Sequence, residues 1–438
     1  MSSEPVKAQQ REESIGLMEY STESLVPFGP IHPALKEPEY FRLALEGERI
    51  VQVIPRIGYV HRGLEKAAES RPWLQNMYMF ERTCGICSFV HSVCYAQAVE
   101  GLTMFQVPRR AKFLRTIILE MERIHSHLLW VGLMGHWAGF DTLFMWVWND
   151  REVVLDLVEA ISGNRVHKSM NTLCGVRKDM PENMEERIIE RMKFLTDRAR
   201  YYRDVIDSEE TMLTRTENIG RVSADTVEKL CAVGPMARYV GLRRDVRLND
   251  PYAAYDEIPF DIVTRKEGDV HALLALRLDE LVASANMVSY AVKHLPDGPI
   301  RTRIPTTIPA GEHSSHCEAP RGEIFYYAKS AGGRTPERVK SRQPTMANIP
   351  TVLEMLKGQT LADIPIVLTA IDPCFGCMDR MSFFDIESNK KWTWSGEQLR
   401  QYGINKYFPE RAKKQAKASN QLGHAISSAK FCFKEEGI

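Results

Sequence analysis

Cysteine is scarce in this chain, which has 9 cysteines among 438 residues. An odd number at this low density excludes a small secreted domain held together by disulfides. Neither sign of charge is in excess, because 57 acidic side chains balance 57 basic ones. Without a basic surplus, the composition gives no support to nucleic acid or an anionic membrane surface as a partner. We therefore expect no nucleic-acid partner.

The N-terminal segment lacks the apolar core of a signal peptide. Its first residues, MSSEPVKAQQREESIGLMEY, are mostly polar, and no pair of adjacent arginines occurs among them. We predict a flexible leader over residues 1–24 and a cytoplasmic location.

Long hydrophobic runs are also rare. One stretch, Leu128–Trp148, approaches the length of a membrane span. His136 and Asp141 lie in its middle, with Gly135 and Gly139 close by, and charged groups are costly within a bilayer. The stretch therefore predicts one or two buried helices in a large core.

Helical periodicity dominates from about Arg71 to Asp207 and returns over residues 268–294. In RRAKFLRTIILEMERIHSHLLWVGLM, apolar residues recur at helical spacing, with charges on the opposite face. Residues 21–66 instead alternate short apolar runs with proline and glycine, which is typical of short strands and turns. Residues 295–350 are rich in loops but contain EIFYYAKSAGGR, which predicts a hairpin. The pattern predicts a mainly α fold of the α+β type, with a core of long helices and small peripheral β elements.

Two CxxC motifs lie near opposite ends of this helical body. Cys84 and Cys87 are in ERTCGICSFVHS, whereas Cys374 and Cys377 are in DPCFGCMDR. Far more residues separate the pairs than the roughly 15–20 of a zinc ribbon, and neither pair follows the βαβ pattern of a thioredoxin. Four thiolates from the two ends of a domain fit a buried metal site in its centre. Thiolates favour zinc, copper(I), iron–sulfur clusters or nickel, and the residues alone leave this choice open.

These motifs and their surroundings resemble the large subunit of [NiFe] hydrogenases, in particular the energy-converting, membrane-bound branch related to respiratory complex I. The resemblance covers about residues 25–380. It includes, in order, FGPIHPALKEPEYF, GYVHRGLEK, RTCGICSFVHS, ERIHSHLLWVG, ISGNRVHKSM, GVRKDM, CAVGPMAR, EAPRGEIFYY and DPCFGCMDR. It implies one catalytic domain over residues 25–380, with the long-helix core shared by hydrogenase large subunits and the complex I 49-kDa subunit. The implied reaction is 2H+ + 2e− ⇌ H2, coupled through partner subunits to ion translocation.

The resemblance assigns all four CxxC cysteines to nickel. The second cysteine of each pair, Cys87 and Cys377, would also bridge to an iron that carries CO and cyanide. A terminal thiolate would accept the proton when H2 is split, and we assign this catalytic role to Cys374. The alternative for the same residues is a structural zinc site with four thiolates.

Glu37, in ALKEPEY, resembles a proton-accepting glutamate beside a terminal cysteine, with Glu39 as the second choice. A carboxylate in a dry site has a raised pKa that suits proton transfer. The alternative for Glu37 is a surface carboxylate. Asp372 is expected to shape the turn that presents Cys374.

Arg321, in APRGE, resembles the arginine above the metals, where a guanidinium offsets negative charge. Its alternative is a salt bridge with Glu318 or Glu323. The resemblance also implies that His91 donates to a cysteine sulfur, the alternative being a core histidine bonded to a carbonyl. The positions implied to surround the diatomic ligands of the iron are Pro320, Pro344 and Thr345.

Glu65, in HRGLE, resembles a carboxylate that binds magnesium or a similar ion near the C-terminal motif, close to Arg380. The alternative is an ion pair of Glu65 with Arg62 or Lys66. His125 and His127 are two positions apart and therefore lie on different helix faces, which does not favour a metal pair.

The remaining cysteines form no further cluster: they are Cys94, Cys174, Cys231, Cys317 and Cys432. Electrons must then leave through another subunit. The resemblance implies a small subunit with a [4Fe–4S] cluster, membrane-arm subunits, and a ferredoxin-like carrier or a CO- or formate-oxidising module as the electron source. These partners would place the chain on the inner face of the cell membrane as a peripheral subunit.

Residues 381–438 form a C-terminal extension after the second motif. Many family members are cut by a protease three positions after the last cysteine, and here that cut would fall between Arg380 and Met381. We therefore expect cleavage there. The alternative is a retained extension, because some members of this branch are not cut and MSFFDIESNKKWTWSGEQLRQYGI resembles the extension of formate-linked relatives.

Three rival functions remain open. GPIHP and GVRKD also resemble quinone-site subunits of complex I, which lack nickel and have lost the CxxC cysteines. A sulfur-reducing relative with an altered cysteine pair and a structural zinc protein are the others. The two intact CxxC pairs favour the hydrogenase.

Overall fold

The computed structural model describes residues 25–378, the short segments 383–385 and 390–392, and residues 402, 404 and 405. The chain divides into two compact units between Asp379 and Arg380. The predicted leader, residues 1–24, and most of the extension lie outside the described residues.

The first unit begins with a three-stranded antiparallel sheet in the order β1-β2-β3: β1 (Leu25–Phe28), β2 (Tyr40–Glu46) and β3 (Arg49–Arg56). The helices that follow are α1 (Leu64–Ala68), α2 (Trp73–Glu81), α3 (Ser88–Glu100), α4 (Arg109–Ala138) and α5 (Asp141–Ser162). A short ladder pairs β4 (Asn171–Thr172) with β5 (Gly175–Val176). Next come α6 (Met184–Ser208), α7 (Glu210–Thr216), α8 (Ala224–Lys229), α9 (Pro235–Arg238), α10 (Val246–Asn249) and α11 (Val270–Lys293).

A second antiparallel sheet has the order β6-β7-β8, with β6 (Gly311–Ala319), β7 (Gly322–Ser330) and β8 (Arg338–Arg342). The unit ends with α12 (Pro344–Leu356), a 3-10 turn at Leu361–Asp363, α13 (Ile364–Ala370) and a 3-10 turn at Phe375–Cys377. In the second unit, β9 (Phe383–Asp385) pairs antiparallel with β10 (Lys390–Trp392).

The centre of the first unit is α4, a helix of 30 residues that is buried along most of its length. It packs against α5 and α11, and α11 packs in turn against α6. Its buried Trp130 donates a hydrogen bond to the carbonyl of Thr369 at 2.7 Å, which connects α4 to α13. The predicted mainly α fold with small antiparallel sheets is confirmed, and α4 lies where it can support both cysteine pairs.

The apolar stretch Leu128–Trp148 forms parts of two helices, as predicted. Helix α4 stops at Gly139, whose φ of 89° is left-handed and favours glycine at a helix end. Helix α5 starts two residues later and buries Leu143 and Val147. Over the part of the chain that the structure describes, no helix combines the length and the apolar character that a membrane crossing requires.

The hairpin predicted from EIFYYAKSAGGR is confirmed as the β7–β8 pair. Strand β6 was not expected, because the first four residues of GEHSSHCEA are exposed and polar and show no apolar alternation. It pairs with β7 through a tight turn in which Ala319 faces Gly322, and Arg321 lies in this turn. The turn has little space: a Cβ on Gly322 would lie 2.8 Å from the backbone of Val233.

Candidate metal centre

The first cysteine pair lies in the loop between α2 and α3. The sulfur of Cys84 accepts hydrogen bonds from the N–H groups of Ile86 at 3.2 Å and Cys87 at 3.4 Å. Nε2 of His125, on α4, is 3.0 Å from the carbonyl oxygen of Ile86. The loop therefore has internal hydrogen-bond partners, and both cysteines are buried.

A buried carboxylate holds the start of α3. The first N–H groups of a helix have no partner within the helix, and Cys87 supplies no side-chain cap. Glu122, from the middle of α4, accepts from the N–H groups of Phe89 at 2.7 Å and Val90 at 2.9 Å. Nζ of Lys168 lies 2.8 Å from the same carboxylate and balances its charge. Helix α4 thereby positions the first cysteine pair.

The second cysteine pair follows α13. Asp372, two residues before Cys374, has a left-handed φ of 52°. The N–H of Cys374 donates to Oγ1 of Thr345 at 3.1 Å, and a 3-10 turn then leads to Cys377. That Asp372 shapes the turn that presents Cys374 stays a prediction.

Two side chains from the N-terminal part of the chain hold the peptide groups of Gly376. Its N–H donates to Oε2 of Glu37 at 2.7 Å. Its carbonyl oxygen accepts from Nη2 of Arg62 at 2.5 Å, and the same nitrogen donates to the carbonyl of Thr83 at 2.7 Å. Arg62 therefore connects the two cysteine loops. A Cβ at position 376 would lie 2.7 Å from Oε1 of Glu37, so a larger residue here would displace this carboxylate.

The sulfur atoms of the two pairs meet in the interior. The Sγ–Sγ distances are 3.2 Å for Cys84–Cys374, 2.8 Å for Cys374–Cys377 and 3.8 Å for Cys87–Cys377, and all four thiols are free. Nε2 of His91 is 3.5 Å from the sulfur of Cys377. The ligand atoms of Cys84, Cys374 and Cys377 lie within 4.8 Å of one another, as do those of Cys87, His91 and Cys377. The donor set is soft, buried and convergent, which fits a nickel–iron site.

The thiols of the two pairs differ in acidity. Hydrogen bonds from the other three thiols hold the pKa of Cys84 well below its usual value, and bonds from Cys374 and Cys377 lower the pKa of Cys87 to about 7. Burial raises the pKa of Cys377 well above its usual value. Four thiolates at this place therefore need added positive charge.

Arg321 faces this cluster from the β6–β7 turn. Its Nε and Nη2 donate to the carbonyl and to Oδ1 of Asp372 at 2.7 and 3.0 Å. Burial acts to lower its pKa, but Asp372 and the cysteine sulfurs raise it well above the usual value. Arg277 and Lys36 also bond to Asp372, at 3.4 and 3.2 Å. Nη1 of Arg321 is buried and has no partner among the described residues, so one donor is free to meet a negative group.

Glu318 and Glu323, the two alternative partners of Arg321, bond to other residues. Glu318 bonds to Arg238 at 2.8 Å. Glu323 bonds to His316 at 2.7 Å and to Arg342 at 2.8 Å. The salt bridge of Arg321 is therefore with Asp372, which the sequence did not indicate because the two residues are 51 positions apart.

Glu37 is half-buried rather than a surface carboxylate. Burial, together with the nearby Cys84, raises its pKa. Glu39 is fully buried: one oxygen accepts weakly from the N–H of Tyr40 at 3.3 Å, and Oε2 has no partner within the described part of the chain. Burial raises the pKa of Glu39 to about 8. Burial therefore favours the protonated form of both carboxyl groups, and for Glu39 the shift extends past neutral pH.

The other predicted residues are placed as follows. Nδ1 of His91 is 2.8 Å from the hydroxyl of Tyr326, not from a carbonyl. Pro344 and Thr345 begin α12, where Thr345 contacts the backbone of Cys374. Pro320 is buried in the turn beside Arg321.

Glu65 lies in α1, and strand β8 supplies two of its partners. Its Oε2 is 2.9 Å from Nζ of Lys340, and its Oε1 accepts from the N–H of Ser341 at 2.9 Å. Lys66, one alternative partner, instead pairs with Glu69. Arg380 lies outside the described residues, so a magnesium ion near Glu65 and Arg380 stays a prediction.

Several residues that hold the cysteine loops or contact His91 were not predicted from the sequence. They are Arg62, Glu122, His125, Lys168 and Tyr326. The one signal available was local: ERIHSH places charged and imidazole groups on a helix that is otherwise apolar. Buried charges need partners, so such residues indicate specific internal contacts, but the identity of the partners is not local information.

The fold and the site together define a helical protein with a buried centre of four cysteines, supplied by two CxxC loops. The model of the respiratory-chain NADH dehydrogenase 49 Kd subunit matches residues 138–308 and 303–380, and the model of nickel-dependent hydrogenases matches residues 62–178.

Individual relatives agree with these matches. The chain is 38% identical over 397 residues to the membrane-bound hydrogenase subunit alpha of Pyrococcus furiosus, covering 87% of this chain and 92% of that protein. It is 35% identical over 387 residues to formate hydrogenlyase subunit 5 of Escherichia coli, covering 87% and 68%. A chain of the archaeal membrane-bound sulfane sulfur reductase has a similar structure, with a TM-score of 0.77 and 32% identity over 82% of this chain and all of that one.

The chain belongs to the [NiFe] hydrogenase large-subunit family, in the energy-converting, membrane-bound branch related to complex I. The resemblance found in the motifs is thereby confirmed, and so is the long-helix core that it implied.

Titration of Glu39 should be visible in the stability of the protein. The folded chain keeps the carboxyl proton of Glu39 up to about pH 8, whereas an unfolded glutamate loses its proton at about pH 4.3. The free energy of unfolding therefore falls as pH rises through this window. Across this pH window, we expect the free energy of unfolding to fall less in Glu39→Gln than in the wild type. Denaturant unfolding at several pH values measures it. Glu46→Gln, an exposed position on β2, is the control and should follow the wild type. Identical pH slopes for Glu39→Gln and wild type would contradict the assignment.

Proposed function

We propose that this chain is the catalytic subunit of an energy-converting [NiFe] hydrogenase, which interconverts 2H+ + 2e− and H2 and is coupled through partner subunits to ion translocation. The observation that carries the proposal is the meeting of all four CxxC sulfurs at one buried point. A quinone-site subunit has no use for such a donor set.

The four cysteines would hold nickel, and Cys87 and Cys377 would also bridge to an iron with CO and cyanide ligands. When bound, the metals supply the exchange of electrons with hydrogen. The protein excludes water from this point, since each of the four cysteines is at most 6% exposed. Arg321 directs its unpaired Nη1 and its positive charge towards negatively charged groups at the site. Pro320, Pro344 and Thr345 are the residues that would lie around the diatomic ligands.

Protons leave through residues of this chain. Cys374 holds the proton on its sulfur, and Glu37 receives it. The carboxylate of Glu37 is held at the second cysteine loop, where its Oε2 accepts from the N–H of Gly376 at 2.7 Å. Burial raises the pKa of Glu37, which favours the protonated form that a proton acceptor must reach. Glu39, buried two residues further on, is the next carboxyl group that can hold it.

Electrons enter or leave through a partner. Among the described residues, each group that could bind a metal includes CxxC cysteines, so this part of the chain offers no second redox centre. We therefore infer a small subunit with a [4Fe–4S] cluster, a ferredoxin-like carrier or a CO- or formate-oxidising module, and membrane-arm subunits. The names of the relatives support a membrane complex. The chain would then lie at the inner face of the membrane as a peripheral subunit, after removal of residues 381–438.

The second candidate is a complex I-type coupling subunit without nickel. It is favoured by the extent of the 49 Kd subunit match. It is also favoured by a component of the NADH-quinone oxidoreductase of Sinorhizobium medicae, which is 33% identical over 386 residues, covering 82% of this chain and 96% of that protein.

Metal content separates the two candidates. We expect the purified complex to contain nickel and iron by elemental analysis, with infrared bands of CO and cyanide. The four thiolates favour soft metals over hard cations, and the family to which the chain belongs points to nickel among them. Zinc alone, or no metal, would refute the hydrogenase proposal.

Replacing a bridging ligand should remove the function. In Cys377→Ser, a hard hydroxyl replaces a thiolate, so we expect loss of iron and of hydrogen turnover. Cys231→Ser changes an exposed cysteine outside the centre and serves as the control. Hydrogen turnover that survives in Cys377→Ser would mean that the ligand assignment is wrong.

The proton path can be tested at Glu37. Glutamine keeps an oxygen for the N–H of Gly376 but cannot take a proton. We expect Glu37→Gln to retain its metals and lose about 10²–10⁴-fold in hydrogen evolution, as is usual for a lost proton-transfer group. Glu48→Gln, an exposed change near β3, is the control. Wild-type rates in Glu37→Gln would exclude this glutamate from the path.

A further inference from the structure

We propose that Tyr326 is a positioning residue that keeps His91 in the tautomer with the hydrogen on Nε2, directed at the sulfur of Cys377. The resemblance placed His91 near a cysteine but said nothing of what orients it. The inference deepens the proposed function and rests on it only for the effect on bound metals.

Tyr326, His91 and Cys377 contact one another in series. Tyr326 is fully buried on the inward face of β7. Its hydroxyl oxygen is 2.8 Å from Nδ1 of His91, and Nε2 of the same ring is 3.5 Å from Sγ of Cys377. The chain of contacts is hydroxyl, imidazole, sulfur.

Hydrogen-bond counting decides the tautomer. A tyrosine hydroxyl has one hydrogen to donate, and within the described residues Nδ1 of His91 is its hydrogen-bond partner. If Nδ1 carried a hydrogen, the ring would donate to the hydroxyl, and the buried hydroxyl hydrogen would have no acceptor. Such an unsatisfied donor is costly in a dry interior. The hydroxyl therefore donates to Nδ1, and the neutral ring carries its hydrogen on Nε2.

Aromatic packing holds this arrangement in place. The ring of Tyr326 is edge-on to His91, with centroids 6.0 Å apart at 87°, and edge-on to Phe80 at 5.2 Å and 77°. Neither the tyrosine nor the histidine can rotate freely in such packing. The hydroxyl is thus fixed relative to Nδ1.

This tautomer has two consequences at the centre. A protonated Nε2 has no lone pair for a metal, so His91 is excluded from the ligand set although it lies within reach together with Cys87 and Cys377. The N–H instead donates to the sulfur of Cys377 and withdraws charge from it. Hydrogen bonds of this kind to a ligating sulfur tune the metals that it binds.

The matched pair of variants is Tyr326→Phe and Tyr95→Phe. Tyr95 belongs to the same buried aromatic group, with its ring centroid 6.2 Å from that of Tyr326, but its hydroxyl donates to the carbonyl of Trp73 at 3.1 Å. Each variant removes one buried hydroxyl, and only one of these hydroxyls contacts His91.

The first measurement is the tautomer of His91 in the metal-free full chain, read from nitrogen-15 NMR of labelled histidines. The signal of His91 is identified among the 12 histidines as the one that His91→Gln removes. We expect hydrogen on Nε2 in the wild type and in Tyr95→Phe, and an altered tautomer in Tyr326→Phe. Hydrogen on Nδ1 in the wild type would overturn the proposal without any variant.

The second measurement is the infrared spectrum of the purified metal-loaded complex. We expect Tyr326→Phe to shift the CO and cyanide bands and to lower hydrogen turnover by about 10-fold. A loss of this size is typical when a residue that orients a group around a metal is removed. Tyr95→Phe should leave the bands in place. Unshifted bands in Tyr326→Phe would overturn the proposal that Tyr326, through His91, acts on the sulfur of Cys377. If the complex holds neither nickel nor iron, the proposed function fails, whereas the NMR result still decides the role of Tyr326.

Discussion

The centre depends on a single guanidinium group that joins two distant parts of the chain. Nη2 of Arg62 donates both to the carbonyl of Thr83, before the first cysteine pair, and to the carbonyl of Gly376, within the second. Two loops that meet without regular secondary structure between them need such bonds to set their separation. The four sulfurs are close to one another since both loops are held on this common partner and on the long helix α4.

Charge balance is the second condition on the site. A cluster of thiols that is to bind metal as thiolates collects negative charge in a dry place. The protein surrounds it with cations fixed by a single carboxylate, since Arg321, Arg277 and Lys36 all bond to Asp372. Lys168 and Glu122 form a separate, self-balanced pair under α3. The site is therefore built to accept negative ligands without leaving a buried charge unpaired.

The relatives of this chain differ in chemistry although they share its framework. They include hydrogenases, components of quinone oxidoreductases and a sulfane sulfur reductase. The helices around α4 supply a rigid scaffold, and the side chains presented by the two cysteine loops and the β6–β7 turn decide the reaction. In this chain those positions carry four cysteines and Arg321, and Glu37, from the segment between β1 and β2, contacts the second cysteine loop.

By itself, the sequence determined the family, the four cysteines, the long helices and the β7–β8 hairpin, because motifs and periodicity are local properties. It also placed Glu37 and Arg321 at the centre through their motifs. It did not indicate strand β6, whose polar residues lack alternation, nor the partners Glu122 and Tyr326. Only the tertiary structure showed that Arg321 pairs with Asp372 and that the hydroxyl of Tyr326 lies 2.8 Å from Nδ1 of His91. These contacts join residues far apart in the chain, and a local pattern contains no information on which distant group will satisfy a buried charge or hydrogen bond.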